Sequence, residues 1–404
     1  MPFMTLLGSH PGSVKVLSIM HYPVYNGPIN TALLIQPVLE KENIEILTLI
    51  PSGSDNLERV FEHRRVPYRS ENLSRLRTTL NPLVQIRVMG SFIKDIQRLR
   101  RLIKEISADV VLVNGMENPH GAIAAKLEGK KVIGQILGLG IPPFARSLVG
   151  IWSRLLCDVV MMPGRKIYRY FPGLRSPENC VFFFPPVDTK HYSYKYRDTR
   201  YAEGIGIDLS KPVVGTIGNI NPAKDYETFL LAASKIIEEL PGCQFIIKGN
   251  VLDSQIELFK HLRRVISDLG MKVGSDIFFV QDDLDSTKAL SLMDIYVQSS
   301  IGEGISTALL EAMSMSRAVV ATDVGATSEA VASGETGLLV GPGEPQVIVD
   351  GVIRLQRDSE LKSYLSRNAR AFVMKSASVD SCGKAHCEAI RMVINQKRLR
   401  CKHG

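Results

Sequence analysis

The 404-residue chain lacks two features that would assign it to a special class, a long apolar run and a cluster of cysteines. No stretch approaches the roughly 18 apolar residues of a membrane span, and the N-terminus lacks the apolar segment and cleavage pattern of a signal peptide. The six cysteines are scattered without a CxxC pair, which argues against a zinc site or a disulfide framework. We therefore expect a cytoplasmic chain with reduced thiols.

Basic residues interleaved with aromatics, the pattern of a nucleic-acid surface, are also lacking, so no nucleic-acid partner is expected. The net charge is +8, and residues 59–104 alone hold twelve Lys or Arg against three acids, an excess of +9. A predicted helix over 91–107 has one apolar and one basic face. Two interpretations stay open: a basic face in water, or contact of residues 59–104 with an anionic membrane surface, which would make the chain peripheral at the inner face of the membrane.

What the sequence does contain is a regular alternation of short apolar runs and amphipathic helices, with 45% hydrophobic and 22% charged residues. Its length favours two domains, and the alternation predicts parallel sheets covered by helices on both faces. The fold class is therefore α/β, with two Rossmann-like doubly wound domains in tandem, facing across a cleft. The predicted strands lie at 14–20, 44–50, 109–115, 131–137, 158–164, 212–218, 243–249, 276–280, 294–300, 317–323 and 337–340.

The predicted domain boundary lies within 182–200, where two prolines and a polar aromatic run interrupt the periodicity. We assign residues 1–190 to an N-terminal domain and residues 191–375 to a C-terminal domain. Residues 376–404 form a helical tract that is expected to pack back toward the N-terminal domain.

Two loops after predicted strands carry candidate ligand-binding residues, because parallel sheets bind ligands outside the carboxyl ends of their strands. In HYPVYNGPIN, Gly27 precedes an apolar helix, so the loop is either a close approach to an anionic ligand or an ordinary βα turn. In GTIGNINPAKDYETF, the strand ends at Gly218 and Lys224 stands just before a helix. Lys224 either reaches a phosphate or is simply solvated.

A third loop, GEGISTALLEAM, places Glu303 before a predicted helix and Glu311 inside it, with Ser306 or Thr307 as the N-cap. Eight helical residues separate two side chains by about 12 Å, whereas the carboxyl groups of a retaining glycosidase lie roughly 5 to 5.5 Å apart. The two glutamates are therefore not a paired acid and nucleophile. The span suits an elongated ligand held at two points with a phosphate near the helix start, although Glu311 alone could face water.

From Gly302 onward, the sequence GEGISTALLEAMSMSRAVVATDVGATSEAVASGETGLLVGPGEP closely resembles the signature of the GT4 family of retaining, GT-B-fold glycosyltransferases. The matching features are two glutamates separated by seven residues, the VVATDVG strand and turn, Glu329 and the GETGLLV strand. GTIGNINPAKDYETFLLAA resembles the donor-phosphate segment of the family, PPVDTKHY its interdomain motif and HYPVYNGPIN its N-terminal glycine loop. The resemblance is strong over the second half of the chain and looser over the first.

The resemblance implies transfer of a hexose-type sugar, with retention and without a metal or another cofactor. The donor would be a UDP- or GDP-linked sugar held by the C-terminal domain. The acceptor would be a hydroxyl of a glycan or lipid-linked molecule, held by the N-terminal domain in polysaccharide, lipopolysaccharide or glycolipid synthesis. Lys224 would contact the donor phosphates, Glu303 the sugar hydroxyls and Glu311 the ribose. The remaining implied donor-binding residues are Gly27, Gly218, Asn219, Lys248, Gly304, Ile305 and Ser306.

The chain departs from the family pattern at several positions. Asn219 stands where the family usually has an arginine, with Lys248 as a candidate substitute, and Ser316 stands where glycine is usual. GQILGLG lacks the histidine that many relatives carry after the fourth strand. His120 is the nearest alternative on the acceptor side, unless it is an incidental loop histidine. Two other functions stay open, a nucleotide-sugar epimerase, which the glutamate spacing disfavours, and a degenerate non-catalytic donor-binding protein.

Overall fold

The computed structural model describes residues 12–23, 25–53, 55–74, 82–174, 176–194, 196–281 and 285–400. The chain divides into two compact units, Met1–Pro186 with Val379–Gly404, and Val187–Ser378. The crossing at Pro186 lies inside the predicted boundary segment, 182–200. The sequence analysis placed the two domain limits at 190 and 375, whereas the compact units divide after Pro186 and after Ser378.

The first unit is built on a seven-stranded sheet in the order β3-β2-β1-β4-β5-β6-β7, in which all neighbouring strands are parallel. Its central strands are buried, as expected for a sheet covered on both faces. The strands are β1 Val14–Ile19, β2 Ile44–Pro51, β3 Tyr68–Glu71, β4 Val110–Asn114, β5 Lys131–Gln135, β6 Val159–Pro163 and β7 Cys180–Phe183.

Six helices belong to this unit in the described part of the chain: α1 Gly27–Lys41, α2 Asp55–Arg64, α3 Pro82–Glu105, α4 His120–Leu127, α5 Pro143–Leu156 and α14 Val379–Arg400. The last of these, α14, returns from the far end of the sequence and contributes Cys382, Ile390 and Val393 to the same core as Val16 and Ile35. Its placement follows from burial of an apolar face against the sheet.

The second unit is built on a six-stranded parallel sheet in the order β10-β9-β8-β11-β12-β13. Its strands are β8 Val213–Ile217, β9 Gln244–Lys248, β10 Ile277–Val280, β11 Ile295–Gln298, β12 Ala318–Thr322 and β13 Leu338–Val340. Its helices are α6 Thr199–Ile205, α7 Tyr226–Glu239, α8 Ile256–Asp268, α9 Thr287–Leu292, α10 Thr307–Ser314, α11 Thr327–Ala330, α12 Pro345–Arg357 and α13 Ser359–Ser376.

Local sequence signals explain where several helices begin. The side chain of Asn26 accepts a hydrogen bond from the Ile29 amide at 3.1 Å, and Asp358 accepts one from the Leu361 amide at 2.8 Å. Such N-caps satisfy amides that have no partner inside the helix. The helices therefore start at positions that their sequence specifies.

The predicted α/β fold class is confirmed, since both sheets are parallel and doubly wound. In each sheet the strand order reverses direction at one point, between β1 and β4 in the first and between β8 and β11 in the second. Ligands of open α/β sheets bind at the carboxyl ends of the strands on either side of such a switch point. The fold therefore directs attention to the loops that follow these four strands.

Candidate functional site

The loop after β8 presents Lys224 at the switch point of the second sheet. The side chain of Asn221 accepts a hydrogen bond from the Ala223 amide at 3.0 Å, and Pro222–Lys224 forms a single 3-10 turn. Asp225 then adopts a left-handed conformation (φ 47°) and its carboxylate caps α7. Lys224 is thus held between two capped turns.

The loop after β11 is tied to this turn by three hydrogen bonds. The amide of Ile301 donates to the carbonyl of Ala223 at 2.9 Å, and the hydroxyl of Ser299 donates to the carbonyl of Lys224 at 2.9 Å. On the other side, the hydroxyl of Thr322 donates to the carbonyl of Ser300 at 2.6 Å. Each of these contacts fixes the backbone that leads to Glu303.

Lys224 and Glu303 form an ion pair at this edge, with 2.6 Å between Lys224 Nζ and Glu303 Oε1. The hydroxyl of Ser300 donates to the same carboxylate oxygen at 3.0 Å. Both side chains are only partly exposed, 18% for Lys224 and 16% for Glu303, so solvent screens the pair less than it would a surface pair. The structure therefore brings together Lys224 and Glu303, the two residues for which the family resemblance implies the catalytic roles, at the donor phosphates and at the sugar hydroxyls.

Two glycines that the sequence analysis did not single out allow this loop arrangement. A Cβ atom on Gly249 would lie 1.9 Å from the carbonyl oxygen of Gly218, and a Cβ atom on Gly325 would lie 2.2 Å from the carbonyl oxygen of Glu303. Gly325 also has a φ of +59°, a backbone conformation that residues other than glycine rarely adopt. The hydroxyl of Tyr226 donates to the Gly218 carbonyl and completes the support of the β8 loop.

The start of α10 lies directly after Glu303. Ser306, one of the two predicted candidates, is the N-cap, and its side chain accepts a hydrogen bond from the Leu309 amide at 3.4 Å. Ile305 and Ser306 are buried, and the carbonyl of Gly304 accepts a hydrogen bond from the Ala326 amide at 2.9 Å. The positive end of the helix dipole therefore lies beside the Lys224–Glu303 pair.

Glu311 lies inside α10 in a different set of contacts. It is buried and accepts hydrogen bonds from the hydroxyls of Tyr192 and Ser286. Burial raises the pKa of Glu311 to about 8, with the Asp285 carboxylate adding to the rise and the two hydroxyls opposing it. The bonded partners of Glu311 and Glu303 are thus distinct, as expected if the glutamates are two separate grips. Tyr192 ends the PPVDTKHY motif, but the sequence offered no signal that Tyr192 or Ser286 would contact Glu311, which lies far from both along the chain.

The other predicted donor-binding residues fall in three places. Asn219 is exposed, and its side-chain oxygen accepts a hydrogen bond from the Asn250 amide at 3.3 Å. Lys248 ends β9 and is buried, with its carbonyl bonded to the Gly218 amide at 2.9 Å. Gly27 is the first residue of α1 and belongs to the first unit.

His120 is buried at the start of α4, beside the switch point of the first sheet, and is not a loop residue. Its ring lies 4.8 Å from that of His21, which follows β1, and 5.2 Å from that of Phe92. Neither ring nitrogen of His120 has a hydrogen-bond partner among the described residues. Burial lowers the pKa of His120 to about 4, against the opposing effect of Asp95, so the imidazole is neutral at pH 7.

A carboxylate in the loop before α4 was missed by the sequence analysis. Glu117 lies between β4 and α4, and its carboxylate accepts a hydrogen bond from the hydroxyl of Tyr22 at 3.2 Å. Burial raises the pKa of this carboxyl above its ordinary value. The switch point of the first sheet therefore holds the imidazoles of His21 and His120 and the carboxyl of Glu117, whose pKa is raised.

Several basic residues of the segment 59–104 form ion pairs. Arg69 pairs with Glu105 at 2.7 Å, and Glu128 pairs with Arg100 at 2.6 Å and with Lys104 at 3.2 Å. The apolar face of α3 is buried through Leu99, Leu102 and Ile103. Two arginines of this segment, Arg75 and Arg77, lie outside the described residues. These contacts favour the interpretation in which α3 packs on the sheet.

Within the described ranges, no group of three or more His, Cys, Asp or Glu side chains could hold a metal ion. None of the helices in that part of the chain combines the length and the hydropathy that crossing a membrane requires.

Comparison with known families connects this geometry to an enzyme class. Residues 198–372 match the family model described as glycosyl transferases group 1, so the predicted resemblance is confirmed. This segment contains Lys224, Glu303 and Glu311, together with the loops that hold them.

Individual relatives are also named as sugar transferases, and this chain matches part of their length. The lipopolysaccharide core biosynthesis mannosyltransferase LpsB of Rhizobium meliloti is 26% identical over 239 residues, which is 58% of this chain and 66% of that protein. A D-inositol 3-phosphate glycosyltransferase of Corynebacterium urealyticum is 26% identical over 213 residues, 52% of this chain and 45% of that protein. The match thus spans between about half and two thirds of these relatives.

Solved structures share the fold over almost the whole chain. Anabaena HepE in complex with UDP and glucose gives a TM-score of 0.78 at 17% identity, covering 94% of this chain and 99% of HepE. A glycosyltransferase from Rickettsia africae gives 0.79 at 14% identity, covering 95% and 99%. At such identities the likeness shows the fold alone.

Proposed function

We propose that this chain, whose residues 198–372 belong to the group 1 glycosyltransferases, transfers a hexose-type sugar from a nucleotide-diphosphate sugar to a hydroxyl acceptor. The observation that carries the proposal is the Lys224–Glu303 ion pair at the switch point of the second sheet. It joins a cation suited to phosphate and a carboxylate suited to sugar hydroxyls. Lys224 stands just before α7, and Glu303 stands just before α10.

In this proposal, the bound donor separates the Lys224–Glu303 ion pair and contacts both side chains. The diphosphate accepts a hydrogen bond from Lys224 Nζ. A sugar hydroxyl then donates to the Glu303 carboxylate in place of Lys224. Negative charge then develops on the departing nucleoside diphosphate. Lys224 and the first amides of α10, with Gly304, Ile305 and Ser306 around them, stabilise that charge. This division of labour needs no metal ion in the site.

Glu311 is proposed to hold the ribose of the donor. Without a ligand its carboxyl is buried and largely protonated at pH 7, because its pKa is about 8. Two neighbouring ribose hydroxyls would donate to the carboxylate form and favour its ionisation. Gly218, Asn219 and Lys248 line the adjacent β8 and β9 ends and are proposed to contact the diphosphate side. For Gly27 a contact with the donor phosphates stays a prediction.

The stereochemistry proposed is retention through a front-face, ion-pair-like step. The distinct hydrogen-bond partners of Glu303 and Glu311 support a mechanism without a paired acid and nucleophile. The donor would be UDP- or GDP-linked. The UDP and glucose bound to HepE support a test of UDP-linked sugars first, and a GDP-linked donor stays a prediction.

The acceptor side is proposed to lie at the switch point of the first sheet, with His120 as the residue nearest to it. A neutral imidazole can accept a hydrogen bond from one hydroxyl and donate to another. The name of LpsB supports a glycan acceptor in cell-envelope synthesis. The cytoplasmic location, the peripheral position at the membrane and contact through residues 59–104 stay predictions.

A screen for donor binding followed by a turnover assay tests the proposal. A nucleoside diphosphate or sugar conjugate that binds only the folded state raises the melting temperature, so UDP, GDP, ADP and their common sugar conjugates are compared. With the best donor, we expect Lys224→Ala and Glu303→Ala each to lower kcat/KM about 100- to 1000-fold.

Lys235→Ala provides the matched control, since Lys235 is an exposed residue of α7 whose ammonium group donates to the side chain of Gln346 at 3.0 Å. It should leave turnover unchanged. Unchanged turnover in both Lys224→Ala and Glu303→Ala would refute the site. Donor conversion with no acceptor present and no hydrolysis would instead favour an epimerase.

A further inference from the structure

Helix α5 in the first unit exposes a continuous apolar stripe. Phe144 is 82% exposed, Leu148 52%, Ile151 40% and Leu155 66%. These four residues are spaced by four, three and four positions, which places them on one face of a helix. Single exposed apolar residues are ordinary, but four on one helical face form a patch that invites a partner.

The orientation of α5 is fixed by its opposite face. Val149 and Ser153 are buried, and the indole of Trp152 donates to the carbonyl of Met116 at 2.7 Å. Gly150 lies so close to the following segment that a Cβ atom there would be 2.2 Å from the carbonyl oxygen of Pro172. Rotating the helix to bury the stripe would break all of these contacts.

The segment that follows β6 extends the patch sideways. Lys166–Tyr170 forms a 3-10 turn, and a Cβ atom on Gly173 would lie 2.8 Å from the Ile151 side chain, so this segment borders the stripe. Tyr170 is 41% exposed, and the guanidinium of Arg146 lies 5.8 Å from the centre of its ring. A tyrosine at the edge of an apolar patch offers both an apolar ring and a polar hydroxyl.

The surroundings of the stripe are cationic. Residues 138–174 contain five Lys or Arg and one acid, Asp158, which gives a net charge of five minus one, or +4. Asp158 is turned inward, where it pairs with Lys126 at 2.7 Å and Lys131 at 3.1 Å. Arg154 and Arg169 are exposed. The outward-facing charge beside the stripe is therefore positive.

We propose that the α5 stripe, defined as Phe144, Leu148, Ile151, Leu155 and Tyr170, docks on an anionic lipid bilayer. An apolar helix face that enters the headgroup region, flanked by arginines that meet acidic lipid headgroups, matches both halves of the surface. A second copy of the chain fits less well, because a two-fold contact through this patch would bring two cationic rims together. The α5 stripe takes no part in the transfer reaction, and it is an alternative to the membrane contact predicted for residues 59–104.

Vesicle co-sedimentation of the full chain tests this surface. We expect binding to vesicles of equal parts phosphatidylcholine and phosphatidylglycerol, little binding to phosphatidylcholine alone, and partial release by added salt. Arg154→Glu with Arg169→Glu should lower the partition coefficient by at least about tenfold, and Phe144→Ser with Leu148→Ser by a similar factor. Because all four side chains are exposed, their melting temperatures should match that of the unchanged protein.

Matched variants elsewhere separate this surface from general effects. Leu252→Ser with Ile256→Ser changes two exposed apolar residues of the second unit, and Lys94→Glu with Arg101→Glu makes the same charge change on α3; neither should reduce binding. Equal binding to both kinds of vesicle, or equal loss in the α3 variant, overturns the proposal. So does sedimentation equilibrium that shows a dimer lost in Phe144→Ser with Leu148→Ser while no vesicle is bound.

Discussion

At the switch point of the second sheet, Lys224 and Glu303 form an ion pair with 2.6 Å between its atoms, next to the start of α10. At the corresponding point of the first sheet, His120 and His21 place two rings 4.8 Å apart beneath Phe92. The two sheets share one architecture, so their edges differ only through the residues in the loops. The charged edge suits a diphosphate. The edge of the first sheet, called the neutral edge for the uncharged imidazole of His120, suits a ligand that offers hydroxyls.

This contrast has a physical basis in what each ligand demands. A diphosphate needs a fixed cation and oriented amides, and these groups leave a recognisable sequence because lysine, glycine and a helix start must follow a strand in order. A hydroxyl can be met by an imidazole, an acid or a phenol from many positions. The proposed donor edge can therefore be predicted from a sequence, whereas the proposed acceptor edge cannot.

The strongest test of the charged edge is a change at the glycine that holds its backbone. We expect Gly325→Ala to cost about 3 kcal/mol of unfolding free energy, because the methyl group meets the Glu303 carbonyl and the residue has a positive φ. Gly334→Ala is the control, since Gly334 also has a positive φ, +82°, but nothing lies within 4 Å of its Cβ position. Urea unfolding of the two variants measures the difference, and equal losses would mean that the close approach is unimportant.

The buried carboxyl of the second unit should make stability fall as the pH rises. The pKa of Glu311 is raised from 4.5 to about 8 in the folded chain, so its contribution is complete below pH 4.5 and is lost as the pH rises through 8. The loss is roughly 1.4 kcal/mol for each pH unit in that window. Glu311→Gln should lack this slope, while Glu238→Gln, at an exposed position of α7, should keep it. A Glu311→Gln curve parallel to that of the unchanged protein would contradict the assignment.

The neutral edge of the first unit should show the opposite slope. The pKa of His120 is lowered from 6.5 to about 4, so its contribution is present above pH 6.5 and is lost as the pH falls toward 4. Each pH unit costs roughly 1.4 kcal/mol over this narrower window. His120→Phe keeps an aromatic ring and should remove the slope, whereas His63→Phe at an exposed position of α2 should not. Acid-induced unfolding that is identical in His120→Phe and the unchanged chain would show that this imidazole does not resist protonation.

The smallest expected effect concerns a serine in a glycine-like conformation. Ser316 has a φ of 56° after α10, and the sequence resemblance places it where glycine is usual. Ser316→Gly should raise the unfolding free energy by about 0.5 kcal/mol, because a left-handed conformation disfavours a side chain. Ser107→Gly, at a φ of 53° in the first unit, should gain as much. A loss at both positions would rule out backbone strain as the cause.

Much of the fold could be predicted because strong patterns specify it. Buried β-branched runs such as Val110–Asn114 and Ala318–Thr322 marked the central strands to within one or two residues. The edge strand Tyr68–Glu71 was missed because all four of its residues are only half-buried and show no apolar run. Strand Cys180–Phe183 was missed because its second half lies within 182–200, the segment interpreted as the domain boundary.

The candidate site was predictable only where neighbours in sequence are also neighbours in space. Ser306 as an N-cap and the order of Gly218 and Lys224 followed from local rules. The contacts of Glu311 with Tyr192 and Ser286 join distant parts of the chain, and no local pattern announces them. The burial of His120 was also unforeseen, since it depends on how α3 covers α4.

Titration of the donor's nucleoside diphosphate into three proteins tests the central claim most directly. The unchanged chain should bind it, Lys224→Ala should bind at least about tenfold more weakly because one charge-assisted contact is lost, and His120→Phe should bind as the unchanged chain does. Isothermal titration calorimetry gives the three dissociation constants. Unchanged affinity in Lys224→Ala, or a loss confined to His120→Phe, would contradict the assignment of the nucleotide to the charged edge of the second sheet.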